Sequence, residues 1–115
     1  MFTRLLLVAI LSTSSAFAAS PQAEGFRKLN GPQIRNAFVG KQFSDGVHFS
    51  YRYLADGTIQ GAKMGKKVAD KWAITKDQLC VTDSFGENCY IVWIKGSAAR
   101  LTIDGSDFSL DGFLR

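Results

Sequence analysis

The chain is poor in the residues that build metal and redox centres. It carries one histidine and two cysteines among 115 residues, whereas a closed zinc site draws four ligands mostly from those two types. The cysteines stand at Cys80 and Cys89, too far apart for the C-x-x-C spacing that lowers a thiolate pKa for redox work. No apolar run approaches the roughly 20 residues that a membrane-spanning helix needs; Leu5 to Leu11 (LLLVAIL) gives way to Ser12, Thr13, Ser14 and Ser15. Neither charge dominates, because 14 Lys and Arg face 10 Asp and Glu, a net +4 spread along the sequence. A metal site, thiol chemistry, an integral membrane segment and nucleic-acid binding are therefore not expected, and no cofactor is implied.

What is present begins with a leader. A basic start (MFTR), a short apolar run and an A-x-A site at Ala16, Phe17 and Ala18 read as a secretory signal peptide cut after Ala18. No cysteine follows the apolar run to accept a lipid, so the mature protein is expected to be soluble, in the periplasm or secreted. Residues 19–29 read as a flexible lead-in, and residues 30–115 as a single β-rich domain. In an oxidising compartment the cysteine pair reads as one intramolecular disulfide. If Cys80 and Cys89 oppose each other on a hairpin, their Cα spacing of about 4.5–5.5 Å suits the bond.

The stretch LNGPQIRNAFVG predicts a short helix, with Asn30 or Gly31 at the N-cap, Pro32 in the first turn, Ile34 and Phe38 on one stripe, and Gly40 as terminator. From Lys41 on, apolar residues recur at period two between Gly-containing turns, with Asp-Gly at 45, 56, 104 and 111. This predicts a mainly β fold, an antiparallel meander curled into a small barrel or sandwich, with the helix packed on it. Phe49, Tyr51 and Tyr53 share the core side of one strand; Trp72 with Ile74, Leu79 with Val81, Leu101 with Ile103, and Phe108 with Leu110 are expected to point inward. CYIVWI is apolar on both faces and reads as a central strand covered by the helix.

Few constellations suggest chemistry. His48 has only Ser50 and Asp45 as sequence neighbours for a nucleophile and an orienting acid, and it lies on the polar side of its strand, so no catalytic residue is assigned. Asp107, Ser109, Asp111 and Gly112 match the opening of a calcium loop, but its twelfth position would fall beyond Arg115. Alternate residues of a strand are also about 6.8 Å apart, so the segment reads as a last strand and turn, not a metal site. Lys63, Lys66, Lys67 and Lys71 read as a solvated loop that, with Arg52, is the candidate contact surface for an anionic polymer or an acidic envelope partner. Phe85, at the tip of the disulfide-bonded hairpin, joins that list because an exposed ring there has no structural reason.

The order of these features, a helix LNGPQIRNAFVGK, then FSYRYLADGTIQG, then W-x-I-x(4)-L-C and a second cysteine in ENCYIVW, resembles a group of small exported bacterial proteins of uncharacterised function. Ile34, Gly40, Asp56, Gly57, Trp72, Leu79, Cys80, Cys89 and Tyr90 carry it. The resemblance implies export and a β-rich domain after a helix, and no catalytic residue. Small envelope lysozyme inhibitors are similar in size, β-richness and disulfide use; their inhibitory signature is not found here, so that likeness is one of fold class.

The expected function is a non-enzymatic binding module of the cell envelope. The alternatives are a carrier of a small apolar ligand in a barrel lined by Phe49, Tyr51, Tyr53 and Trp72, an inhibitor of an envelope-directed hydrolase, and a small hydrolase using His48.

Overall fold

Asn30 opens the helix through a capping box. Its side-chain oxygen accepts the Gln33 N–H (3.0 Å) while Gln33 Oε1 accepts the Asn30 N–H (3.0 Å), which satisfies two of the donors a helix start leaves free. The result is α1, Gly31–Phe38, in a computed structural model that describes residues 20–115. The leader read at residues 1–18 lies outside the described residues. Eight residues are too few to hold a helix in water, so α1 depends on Ile34 and Phe38, both fully buried.

They are buried in the end of a barrel. Strands β2 (Gln42–Ser44), β3 (Phe49–Tyr53), β4 (Thr58–Lys63), β5 (Lys66–Thr75), β6 (Gln78–Asp83), β7 (Gly86–Lys95), β8 (Ala98–Thr102) and β9 (Ser109–Leu114) each pair antiparallel with the next. β9 returns to β2, with Phe43 opposite Leu114, so the meander closes as an eight-stranded barrel rather than a sandwich. Closure leaves no long free edge to attract another chain. Period-two alternation fills the interior with Phe43, Phe49, Tyr53, Ile59, Trp72, Leu79, Val92, Ala99 and Leu101. The helix crosses one end. Phe38 enters edge-on to Tyr53 (5.0 Å) and Phe43 (5.8 Å), and the Gly31 N–H donates to Asp77 Oδ1 (2.7 Å) in the β5–β6 turn.

Several expectations change. The lead-in at residues 19–29 is ordered from Ser20 on: β1 (Arg27–Lys28) pairs with Trp93 and Ile94 of β7, and Leu29 is buried. Glu24 also pairs with Arg100, whose guanidinium lies 4.5 Å from the Phe26 ring centre. A two-residue strand has no visible period, which hid it. The helix does not cover CYIVWI, because a closed barrel has no central strand; that segment is the second half of β7, and α1 plugs the end instead. Phe108 is 40% exposed, outside β9, though its ring rests on Tyr90 (5.6 Å). The Asp-Gly pair at 111 and 112 lies inside β9, where Asp111 Oδ1 accepts from Arg100 Nε (2.6 Å).

The lysine-rich stretch is a hairpin and not a loop. Met64 and Gly65, with φ of 51° and 76°, form a two-residue turn between β4 and β5, and the positive φ at both positions gives the twist that flanking strands favour. Further down the same hairpin β4 runs so close to β3 that a Cβ on Gly61 would lie 1.9 Å from Ser50 O. Gly61→Ala is expected to destabilise the protein by about 1–3 kcal/mol, since backbone must move to admit it; a denaturant midpoint equal to wild type would contradict the close approach.

Candidate functional site

The chain direction alternates, so the β2–β3, β4–β5, β6–β7 and β8–β9 connections all gather at the end away from α1. Each carries an exposed apolar side chain: Val47 (82%), Met64 (68%), Phe85 (97%) and Phe108 (40%). The remaining exposed large apolar residue among the described residues, Phe113, lies on the outer wall of β9. Local bonding holds the loops in place. Asp45 Oδ1 accepts the N–H groups of Val47 (2.9 Å), His48 (2.7 Å) and Phe49 (3.1 Å), Met64 N–H donates to His48 O (2.7 Å), and Asp83 Oδ1 accepts the Phe85 N–H (2.8 Å). Desolvation pushes the Asp45 carboxyl upward, but the hydrogen bonds from Val47, Phe49 and His48 win and hold it well below the usual carboxylate range.

The expected contact residues divide. Lys63 and Lys66 flank the Met64–Gly65 turn on the inward-facing side of their strands, beside the barrel mouth. Lys67 and Lys71 face out, on the same outer wall as Arg52, whose Nη1 donates to Gly40 O (3.4 Å). Phe85 sits at the tip of the β6–β7 hairpin. Acids occupy the rest of the rim: Asp83 and Glu87 beside Phe85, and Asp104 and Asp107 on the β8–β9 connection, all exposed.

Below that hairpin tip, Cys80 and Cys89 oppose each other in register and are joined, with Cα atoms 4.0 Å apart. Both belong to the outward-facing alternation of β6 and β7. The bond therefore staples the wall and stays out of the barrel interior. His48 Nδ1 is 2.7 Å from Asp45 Oδ2, and the Ser50 hydroxyl is hydrogen-bonded to Gln42 instead. The histidine thus has an orienting acid and, among the described residues, no hydroxyl or thiol partner.

Sequence reasoning put Tyr51 and Tyr53 on the core side but missed the acid that faces the same way. Tyr51, Tyr53 and Tyr90, all the tyrosines of the chain, face inward, and so does Asp70, which alternates with Val68, Trp72 and Ile74 on β5. Burial raises the hydroxyl pKa of Tyr53, with Tyr51, Tyr90 and Asp70 adding to it; burial followed by Asp70 and Tyr90 does the same for Tyr51. Burial also raises the Asp70 carboxyl, with Asp83 adding to the rise and Lys63 opposing it. Four polar groups thus share one mouth. The signal was an acid at an inward position of VADKWAI, invisible once Lys63 to Lys71 is read as a loop.

No protein-family profile, curated protein or solved structure matches the chain. Among the described residues no helix is long and apolar enough to cross a membrane.

Proposed function

We propose that the protein is a non-enzymatic interaction module of the bacterial cell envelope that engages a protein partner with the open rim of its barrel. The observation that carries this reading is the asymmetry of the two ends: among the described residues, four of the five exposed large apolar residues stand on the rim loops, where folding leaves them open to solvent in whole or in part. The leader, the disulfide and the resemblance to small exported proteins support an envelope location. Lys63 and Lys66 stand on the β4–β5 hairpin of the rim, and Asp83, Glu87, Asp104 and Asp107 on the β6–β7 and β8–β9 connections, a mixed pattern that favours a protein surface over a uniformly anionic polymer. The carrier reading has less support, because the rings it would need as an apolar lining are spent on one another: Phe49 stacks on Tyr51 (5.1 Å) and Tyr53 meets Trp72 edge-on (5.7 Å).

The test is site-specific photocrosslinking in the producing cell. A photoreactive residue in place of Phe85 or Met64 is expected to give a discrete adduct, and one in place of Asn36, on the exposed side of α1, is expected to give none. The same adducts from both ends, or none from the rim, would refute the reading.

A further inference from the structure

The polar groups inside the mouth are used neither by the core nor by the rim. Tyr53 is 2% exposed, and its hydroxyl makes no hydrogen bond to any described residue. Yet every side-chain nitrogen or oxygen that is sealed from solvent has a partner among the described residues. The Tyr53 hydroxyl is therefore not fully sealed from solvent, although its ring packs against Phe38 and Trp72. Asp70, half-buried, likewise has no hydrogen bond and no ion pair among the described residues. A half-buried carboxylate without a partner costs free energy that a bound group of opposite charge recovers.

The surroundings choose the sign. Asp70 and Asp83 are both on the inward alternation, and the mouth's own cations, Lys63 and Lys66, stand opposite each other at the outermost register position, without an ion pair among the described residues. Phe49 stacks on Tyr51, and Phe108 tilts against Tyr90 at 5.6 Å, so aromatic pairs stand on the inward side that Asp70 shares. Ring faces attract cations, and a carboxylate with tyrosine hydroxyls accepts and orders an ammonium's N–H donors. We propose that the barrel mouth binds an organic ammonium group, with Asp70 as its counter-charge and Tyr51, Tyr53 and Tyr90 as its walls. In a partner protein that group is a lysine side chain lowered into the mouth by the rim contact, and to that extent the proposal rests on the rim reading; as a free ligand it is a small primary amine.

The experiment is an NMR titration of the purified mature protein, following the tyrosine ring signals. The probes are n-butylammonium chloride, a short peptide with one lysine, and n-butanol at matched ionic strength as the neutral control. Saturable shifts are expected with both cations and not with butanol. Tighter binding of the peptide than of butylammonium assigns the ammonium to a partner's lysine, and equal or weaker binding assigns it to a free amine; both support the site. Asp70→Asn, nearly isosteric, is expected to weaken butylammonium binding at least tenfold, Tyr53→Phe severalfold, and Asn36→Ala, on the exposed side of α1, not at all. Loss of rim crosslinks with butylammonium binding intact thus rejects the rim and keeps the site. Absence of saturable shifts, equal binding of butanol, or unchanged affinity in a folded Asp70→Asn protein overturns the proposal.

Discussion

Replacing Phe38 by alanine is expected to remove about 3–5 kcal/mol of stability, a large share of the roughly 5–15 kcal/mol that a domain of this size holds in reserve. The ring is fully buried and is the element of α1 that reaches deepest, touching Phe43 and Tyr53 edge-on. Edge-on ring pairs add about 0.5–1.5 kcal/mol each beyond the area they bury. The deleted ring leaves a cavity bounded on one side by the barrel wall, which cannot collapse without breaking strand pairing. On the other side lies a helix of eight residues that owes its existence to this contact. Equilibrium unfolding in urea measures the loss. Phe38→Leu, which keeps most of the volume, is expected to cost well under half as much, and a Phe38→Ala loss below about 1 kcal/mol would mean that the helix is not the plug described.

Breaking the disulfide is the second large effect. Joining Cys80 and Cys89 closes a ring of ten residues, nine apart in sequence, which in the chain-entropy model removes about 2.7 kcal/mol of unfolded-state freedom. Cys80→Ser with Cys89→Ser is expected to lower the thermal midpoint by roughly 10–20 °C, given about 4–8 °C per kcal/mol in a domain of this size. Reduction of the wild-type bond should reproduce the shift. Because both sulfurs lie on the outer wall, the folded double variant should bind butylammonium as the wild type does. A lost tyrosine response in a folded protein would instead tie the bond to the mouth.

The helix was legible because its signals are local: Asn30 and Gln33 are three residues apart and cap each other whatever else the chain does. The disulfide was legible for the same reason, since a tight turn between Cys80 and Cys89 leaves them facing each other in a hairpin register. The faces of β3 and β6 followed from alternation, and Phe49, Tyr53 and Leu79 are buried as their positions required. The candidate contact residues were legible only as a composition. Four lysines within nine residues look alike in a sequence, and the hairpin sends Lys63 and Lys66 toward the mouth but Lys67 and Lys71 to the outer wall. Val47, Met64 and Phe108, scattered over some sixty positions, gave no pattern at all.

By itself the sequence determined most of the elements: where the helix starts, which residues of most strands face inward, where most turns fall, and which thiols pair. These follow from capping, from the two-residue strand period and from the short reach of a hairpin, none of which depends on distant parts of the chain. Only the tertiary structure decided that the meander closes, which end α1 plugs, and what the open end brings together. Closure rests on Phe43 meeting Leu114 from the far end of the meander, and period two assigns a residue to a face without saying which strand stands beside it. For that reason the convergence of Tyr51, Tyr53, Tyr90 and Asp70 at one mouth appears only after the barrel has formed.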